Sequence, residues 1–279
     1  MMATLVYIEL QKIYKRWRTY IGFLAIGVLV PIVQVAIYFN GSGYINFATR
    51  SLRDTFVLNG NLLNGYLIGT LILQALFIHI PFLIVLVGGD LLAGEATSGT
   101  YRMLVTRPVS RLSIVTSKFI AGVIYTISLL VWLAIVSLGL SLVIFGQGEL
   151  ISVRDKIYIF AANDVLWRFA LAYLFAVLSM STVMGLSFLF SSLVENAIGP
   201  IVATMAVIII FIIISALDID ALRAIHPYLF TNYLNDWTEF FKDPVDYAVV
   251  LKSALVLLLH IVGLYGITTI IFIRKDILS

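Results

Sequence analysis

The sequence predicts an all-α integral membrane protein with six transmembrane helices and an amphipathic interfacial helix at its N-terminus. Apolar residues make up 61% of the 279 residues and charged residues only 12%, and the mean hydropathy of +1.06 lies outside the range of ordinary soluble domains. None of the six candidate spans contains Asp, Glu, Lys or Arg. The spans are distributed from residue 20 to residue 273, so we treat residues 1–279 as a single transmembrane domain. The six stretches that reach the roughly 20 apolar residues needed to span a bilayer are Tyr20–Phe39, Tyr66–Gly89, Phe119–Phe145, Phe169–Phe190, Ala197–Leu217 and Ser253–Ile273.

Residues 1–19 are predicted to form the interfacial helix, because apolar and polar side chains recur with helical spacing over Leu5–Thr19. The apolar face consists of Val6, Leu10, Ile13 and Trp17, and the polar face of Glu9, Lys12, Arg16 and Thr19. We expect Lys12, Lys15 and Arg16 to meet anionic headgroups and Trp17 to lie at the depth that amphipathic side chains prefer. A plain topology signal, in which the positive charges only fix the orientation of the chain, explains these residues equally well.

Further residues predict local geometry in and after the first span. Pro31 and Gln34 predict a kink with some polarity near the middle of that span. Residues 40–65 are rich in Gly, Asn and Ser and are predicted to form a loop. Gly65 and Gly69 are spaced so that a second helix can approach closely.

The stretch Asp90–Lys118 is the one polar, basic and motif-like segment between two spans. It passes through a turn of small residues to an apolar patch, which consists of Tyr101, Met103, Leu104 and Val105. Pro108 ends this patch, and Ser110 is predicted to cap a new helix that carries Arg111 and Lys118 up to the third span.

The two longest connections after the third span are predicted to contain short helices. In residues 146–168 the apolar middle, Lys156–Ala162, favours an interfacial helix. In residues 218–252, aromatic-rich pieces interrupted by Pro227 and Pro244 favour short helices that dip partway into the outer leaflet as a re-entrant-like segment. An aromatic belt with no role in substrate handling is the simpler interpretation of the second connection.

Orientation follows from the distribution of basic residues. With a cytoplasmic N-terminus, ten of the eighteen Lys and Arg fall on the inner side, in shorter connections than those that carry the eight on the outer side. Both termini are then cytoplasmic, residues 90–118 form a cytoplasmic loop, and the chain crosses the inner (plasma) membrane of the cell several times.

The residues argue against several chemistries. There is no cysteine, which excludes thiolate catalysis and cysteine metal sites, and neither a phosphate-binding glycine loop nor a Gly-x-Ser-x-Gly elbow is present. We therefore expect no catalytic residue, no metal and no cofactor bound by this chain, and no nucleic-acid partner. The three histidines, His79, His226 and His260, are far apart in sequence.

Two alternative classes depend on these histidines. A secondary transporter would need His79 and His260 to meet across the bundle and form a proton or ion relay. An intramembrane enzyme would need a nucleophile, base or metal set within a span. Hydrogen bonding between helices is the simpler role for both side chains.

The order of residues in Asp90–Lys118 resembles the signature of ABC-2 type exporter permeases. The matching elements are an acidic residue closing the second span, Gly94-Glu95, Gly99-Thr100, an apolar patch, Thr106-Arg107-Pro108-Val109-Ser110-Arg111, and a lysine before the third span. The layout of the whole chain agrees but is less specific. The resemblance implies a transport subunit that is not itself an enzyme. It would pair with a second permease, identical or related, and bind a dimer of cytoplasmic ABC ATPases, which hold the ATP and Mg and drive substrate outward through the dimer interface.

The resemblance also implies an ATPase-coupling site, and the composition of the stretch agrees, since an apolar patch with a charged rim is typical of protein interfaces. A chain without a nucleotide site can only be powered through such a surface. Glu95 would pair with Arg102 or with basic residues of the N-terminal helix, although some of the basic residues also suit a topology role. The residues assigned to the site are Glu95, Gly99, Thr100, Tyr101, Arg102, Met103, Leu104, Arg107, Pro108 and Arg111.

The substrate is less defined by the sequence. Apolar, aromatic and hydroxyl side chains in the spans, such as Tyr125, Trp132 and Tyr173, suit a lipid, a hydrophobic drug or a peptide. The same residue types also line ordinary helix contacts. Polysaccharides and ions stay open as substrates.

Overall fold

The structure is a computed structural model that describes residues 1–48, 62–99, 109–153, 156–217 and 219–275. It is a helical bundle with one small hairpin among the described residues. Its α-helices are α1 Met2–Lys15, α2 Trp17–Ala48, α3 Gly65–Phe77, α4 Ile80–Gly88, α5 Asp90–Thr97, α6 Arg111–Ala134, α7 Leu140–Phe145, α8 Ala162–Leu193, α9 Ile198–Ala216, α10 Asp220–Arg223 and α11 Tyr247–Arg274.

Length and hydropathy identify an all-α protein of the membrane. Within the described ranges, five helical stretches are long and apolar enough to cross a bilayer, and α3 with α4 makes a sixth crossing only if this pair, bent by 51°, counts as one span. The five stretches are Trp17–Gly41, Arg111–Phe145, Ala162–Leu193, Ile198–Ala216 and Tyr247–Arg274. Of these α8 is central, since 72% of its apolar window is buried against 39% or less for the others.

The first span is longer than the sequence predicted. α2 continues to Ala48, so residues 40–48 are helical rather than part of a loop, and Pro31 lies inside the helix. Gly, Asn and Ser weaken a helix but do not end it when the preceding turns are already formed. Gly41 and Leu63 meet closely, because a Cβ added at Gly41 would lie 3.0 Å from Leu63 Cδ1.

Gln34 contacts an irregular turn in the neighbouring span. Between α6 and α7 the chain forms a π-helical segment, Ile135–Gly139, whose wider turn leaves carbonyl oxygens without their usual helical donors. The fully buried Gln34 amide donates to Val136 O at 2.9 Å and to Ser141 Oγ at 2.8 Å. These two hydrogen bonds join α2 to the π-helical segment and to the start of α7.

The close approach expected at Gly65 and Gly69 is confirmed. A Cβ added at Gly65 would lie 2.6 Å from Leu142 Cα, and one added at Gly69 would lie 3.1 Å from Leu138 Cδ1. The absence of side chains therefore lets α3 pack backbone to backbone against α7 and the π-helical segment. Asn64 is the N-cap of α3, and its side chain accepts hydrogen bonds from the backbone N–H groups of Tyr66 and Leu67.

The predicted interfacial helix at Lys156–Ala162 is wrong, because Ile157–Phe160 form a strand of a β-hairpin and Ala162 begins α8. Strand β1, Leu150–Val153, pairs antiparallel with β2, Ile157–Phe160, with Leu150 opposite Phe160. Ile157, Tyr158, Ile159 and Phe160 are β-branched or aromatic, and such residues favour a pleated strand over a helix.

The expectation of short helices in residues 218–252 is confirmed for the described part. After α10 the chain forms three 3-10 segments, and α11 begins at Tyr247, six residues earlier than the predicted span. The 3-10 segments are His226–Tyr228, Phe230–Tyr233 and Asp236–Phe241. Their aromatic side chains Phe230, Trp237, Phe240 and Phe241 are buried and pack into the protein, whereas Tyr228 is 75% exposed.

Arg168 holds this segment onto the central helix. Its guanidinium donates to Phe240 O and Lys242 O, each at 2.9 Å, and lies 4.2 Å from the ring centre of Phe160 in the hairpin. One arginine on α8 thereby fixes both connections at this end of the bundle.

A substitution at Gly65 tests the backbone contact between α3 and α7. Gly65→Ala places a Cβ against the Leu142 backbone, and overpacking of this kind costs about 1 to 3 kcal/mol. We expect a lower melting temperature for the detergent-purified protein. Gly263→Ala is the matched control, because a Cβ there meets nothing within 4 Å. Equal melting temperatures for the two variants would refute the close contact.

Candidate functional site

A closed ring of four charged side chains lies where α1, α5 and α6 meet. Lys118, two turns into α6, is 1% exposed, and its Nζ lies 2.7 Å from Glu9 Oε2 on α1 and 3.0 Å from Glu95 Oε1 on α5. Lys12 Nζ closes the ring at 2.8 Å from both Glu9 Oε1 and Glu95 Oε1. We call Glu9, Lys12, Glu95 and Lys118 the charge ring. Each member touches two charges of opposite sign.

The charge ring raises the pKa of Lys12 although the ring is largely removed from water. Burial lowers the pKa of Lys12, but hydrogen bonds to Glu9 and Glu95 and the negative charge of both outweigh it, so this pKa lies above its ordinary value. The crevice among the charges has a volume of only about 30 Å³. The carboxylates are therefore stabilised by the two amines rather than by bulk solvent.

A second ion pair extends the contact between α1 and α5. Arg16, the extended residue between α1 and α2, pairs with Asp90 at the start of α5. Gly94 lies beneath this pair, and a Cβ there would come within 2.9 Å of the Arg16 guanidinium. A side chain at position 94 would therefore displace Arg16 from Asp90.

The central helix holds α5 from its other side. Ser191 Oγ on α8 accepts from the N–H groups of Leu92 and Ala93, at 3.0 and 2.8 Å, and donates to Gly89 O at 2.6 Å. These bonds satisfy backbone groups at the junction of α4 and α5, where the helical pattern changes. Thr97 Oγ1 at the other end of α5 donates to Glu195 O at 2.7 Å. Thus α5 is fixed to α1, α6 and α8.

The described chain leaves α5 at Gly99 and returns at Val109. Gly99 has a positive φ of 67°, a conformation that favours glycine, and Ser98 Oγ donates back to Gly94 O at 2.8 Å. Ser110 caps α6 as predicted, accepting from Ser113 N–H. The predicted coupling residues Thr100, Tyr101, Arg102, Met103, Leu104, Arg107 and Pro108 lie outside the described residues.

The predicted loop 90–118 is therefore helical at both of its described ends. α5 occupies its first eight residues, and α6 begins at Arg111. Of its described charged residues, Asp90 pairs with Arg16, and Glu95 pairs with Lys12 and Lys118. What separates the two helices is the short stretch 98–110.

Arg111, one of the predicted coupling residues, contacts the end of the last helix. It is half-buried and donates to Ile273 O and Lys275 O, each at 2.8 Å, at the C-terminal end of α11. Carbonyl groups at a helix C-terminus have no helical partner and carry partial negative charge, so an arginine is stabilising there. Arg111 thus joins the start of α6 to the end of the last helix.

The N-terminal prediction needs a similar correction. α1 covers Met2–Lys15 rather than Leu5–Thr19, and Lys12 and Arg16 face acidic residues of the bundle instead of headgroups. Helical periodicity identifies a polar face but does not tell whether water or a buried counter-charge lies opposite. Trp17 is 72% exposed, and Lys15 is exposed as well.

Of the two partners predicted for Glu95, a basic residue of the N-terminal helix is confirmed as Lys12. Sequence reasoning did not assign Glu9, Asp90 or Lys118 to the site. The signal for Lys118 was its place at the boundary of the longest apolar run, where a cation needs either a headgroup or a buried acid.

The histidines do not form a relay among the described contacts. His79 Nδ1 lies 2.9 Å from Ala75 O in its own turn, and His260 lies 2.8 Å from Val256 O and 3.2 Å from Tyr228 O. No group of three or more His, Asp or Glu in the described ranges is arranged to hold a metal ion.

These observations define a helical integral membrane protein whose polar centre is a structural charge ring. The chain belongs to the family described as "Protein of unknown function (DUF2705)", whose model matches residues 23–278. A search of curated proteins found no match.

Replacing Lys118 tests the charge ring. Lys118→Met leaves two buried carboxylates sharing Lys12, and removal of one partner from a buried ion pair costs about 3 to 5 kcal/mol. We expect a large fall in melting temperature and in yield. Lys15→Met, an exposed lysine on the same helix as Lys12, is the control and should change little.

A double substitution separates charge from shape. Lys118→Met combined with Glu9→Gln removes one charge of each sign, and we expect it to recover part of the lost stability. If Lys118→Met had the same melting temperature as the Lys15→Met control, the ring would not be stabilising.

Proposed function

We propose that this chain is the permease subunit of an ATP-driven exporter of the ABC-2 type, with both termini on the cytoplasmic side of the plasma membrane. The observation that carries the proposal is the attachment of the 98–110 stretch. Both flanking helices, α5 and α6, are held in one charge ring with α1. A force applied to this stretch would reach three helices together.

Sequence and geometry support the same division of labour. The stretch contains the apolar patch Tyr101, Met103, Leu104 and Val105, with Arg102 within it and Arg107 after it. Since the sequence has no phosphate-binding glycine loop, the energy would come from cytoplasmic ABC ATPases bound to that patch. ATP and Mg would then be held by the ATPases, and this chain would perform no catalysis itself.

A second permease copy, identical or related, completes the proposed complex. The five or six spans among the described residues are few to enclose a path, so we propose that the path forms between two copies. Native mass measurement should give two permeases for each pair of ATPases. One permease per ATPase pair would contradict the dimer.

The proposed substrates are molecules with a large apolar part, such as a lipid, a hydrophobic drug or a peptide. An open groove of about 600 Å³ between α2 and α3 supports this class. Leu29, Val33 and Leu71 contribute apolar surface, and Gln74 contributes an amide. A groove of this composition suits an apolar body with one hydrogen-bonding group.

The topology is tested with single cysteines, for which the natural sequence offers a clean background because it contains none. Ser98 and Gln147 are both exposed, and α6 with α7 connects their two regions across the membrane. We expect a membrane-impermeant thiol reagent applied to intact cells to label Gln147→Cys and not Ser98→Cys. Gly148 would be a poor position, because a Cβ there would lie 2.7 Å from Asn64 Nδ2. Equal labelling of both cysteines would refute the orientation.

The ATPase contact is tested with Leu104→Asp. A charge placed in a desolvated contact costs about 2 kcal/mol or more at a hot spot, so we expect normal abundance, loss of the co-purifying ATPase and loss of transport. The matched control is Leu52→Asp, in the connection that the proposal puts on the opposite side of the membrane, and it should retain the ATPase. Full ATPase association and full transport in Leu104→Asp would show that the stretch is only a topology signal.

A further inference from the structure

The corner between α1 and α2 carries exposed basic and aromatic side chains, one of which, Arg18, also lines the crevice of the charge ring. α1 ends at Lys15, Arg16 is extended, and α2 begins at Trp17. Lys15 and Arg18 are exposed, Trp17 is 72% exposed and Tyr20 is 46% exposed. We call Lys15, Trp17, Arg18 and Tyr20 the corner patch.

The cations of the corner patch differ from their neighbours in having no counter-charge. Lys12 pairs with Glu9 and Glu95, and Arg16 pairs with Asp90. Across the described ranges, no ion pair involves Lys15 or Arg18. Two of the four basic residues at this end of the chain thus remain available for an anion from outside the protein.

The aromatic residues indicate where that anion lies. Trp17 and Tyr20 occupy the first turn of a spanning helix, and amphipathic side chains of this kind are favoured at headgroup depth. The Tyr20 hydroxyl donates to Tyr14 O at 3.0 Å, which holds its side chain beside the corner. Two cations beside such side chains would therefore lie at the level of lipid phosphates.

We propose that the corner patch binds anionic phospholipid headgroups through Lys15 and Arg18. This requires only that the chain is embedded in a membrane and does not depend on export. A juxtamembrane cation near an anionic surface changes lipid affinity about five-fold. Loss of both cations would accordingly weaken binding roughly 25-fold.

The test uses the full-length protein titrated with phosphatidylglycerol or phosphatidylcholine, with bound lipids counted by native mass spectrometry. We expect preferential binding of phosphatidylglycerol. Lys15→Gln with Arg18→Gln should weaken phosphatidylglycerol binding roughly 25-fold and leave phosphatidylcholine binding unchanged. Added salt should weaken the preference in the natural protein, because the attraction is screened.

The control removes the same charge elsewhere. Lys156, in the hairpin, and Lys252, near the start of α11, are exposed at the end of the bundle opposite the charge ring. Lys156→Gln with Lys252→Gln should keep the preference for phosphatidylglycerol. An equal loss in this control would replace the corner patch with a diffuse charge effect and overturn the proposal. Should the corner double variant aggregate, Lys15→Gln and Arg18→Gln are measured singly, each with an expected five-fold loss.

Two further results would also overturn the proposal. Inorganic phosphate that competes as well as phosphatidylglycerol would show a free-anion site rather than a lipid site. A corner double variant that keeps its lipid preference but loses a co-purifying protein would show that the patch binds an acidic protein surface.

Discussion

The alternating order of charges in the charge ring is the constraint on which this end of the bundle depends. Moving a single carboxylate or amine out of water costs several kcal/mol even after relaxation, and attraction to one partner does not reliably repay it. In the ring Lys118 has two carboxylates, and each carboxylate has two amines. The doubled attraction allows Lys118 to be fully buried, and its position in turn fixes α6 relative to α1 and α5.

The sequence was sufficient for features whose physics is local. Apolar length located the membrane helices, the Ser110 cap was visible as a residue type before a helical pattern, and the Gly65 contact followed from spacing alone. It was insufficient where the partner of a residue decided the outcome. Lys12 and Arg16 have the same pattern whether they face headgroups or Glu95 and Asp90, so the polar face of α1 was oriented incorrectly.

The misjudged connections have a related cause. Ile157–Phe160 is too short for periodicity to distinguish strand from helix, and pairing with Leu150–Val153 settles it as a strand. The contact between the π-helical turn in the third span and the buried amide of Gln34 could not be predicted either, because Gln34 lies about a hundred residues earlier in the chain. Arg111 illustrates the same point, since the carbonyl groups that it binds belong to the last helix.

The sequence positions of the charge ring also constrain the order of biogenesis. Glu9 and Lys12 are synthesised first, Glu95 follows after the bent helix pair, and Lys118 comes last. The ring cannot close until the ribosome has released the first part of the third span. Until then only Lys12 with Glu95 and Arg16 with Asp90 can join the N-terminal helix to α5, and the arrival of Lys118 closes the ring.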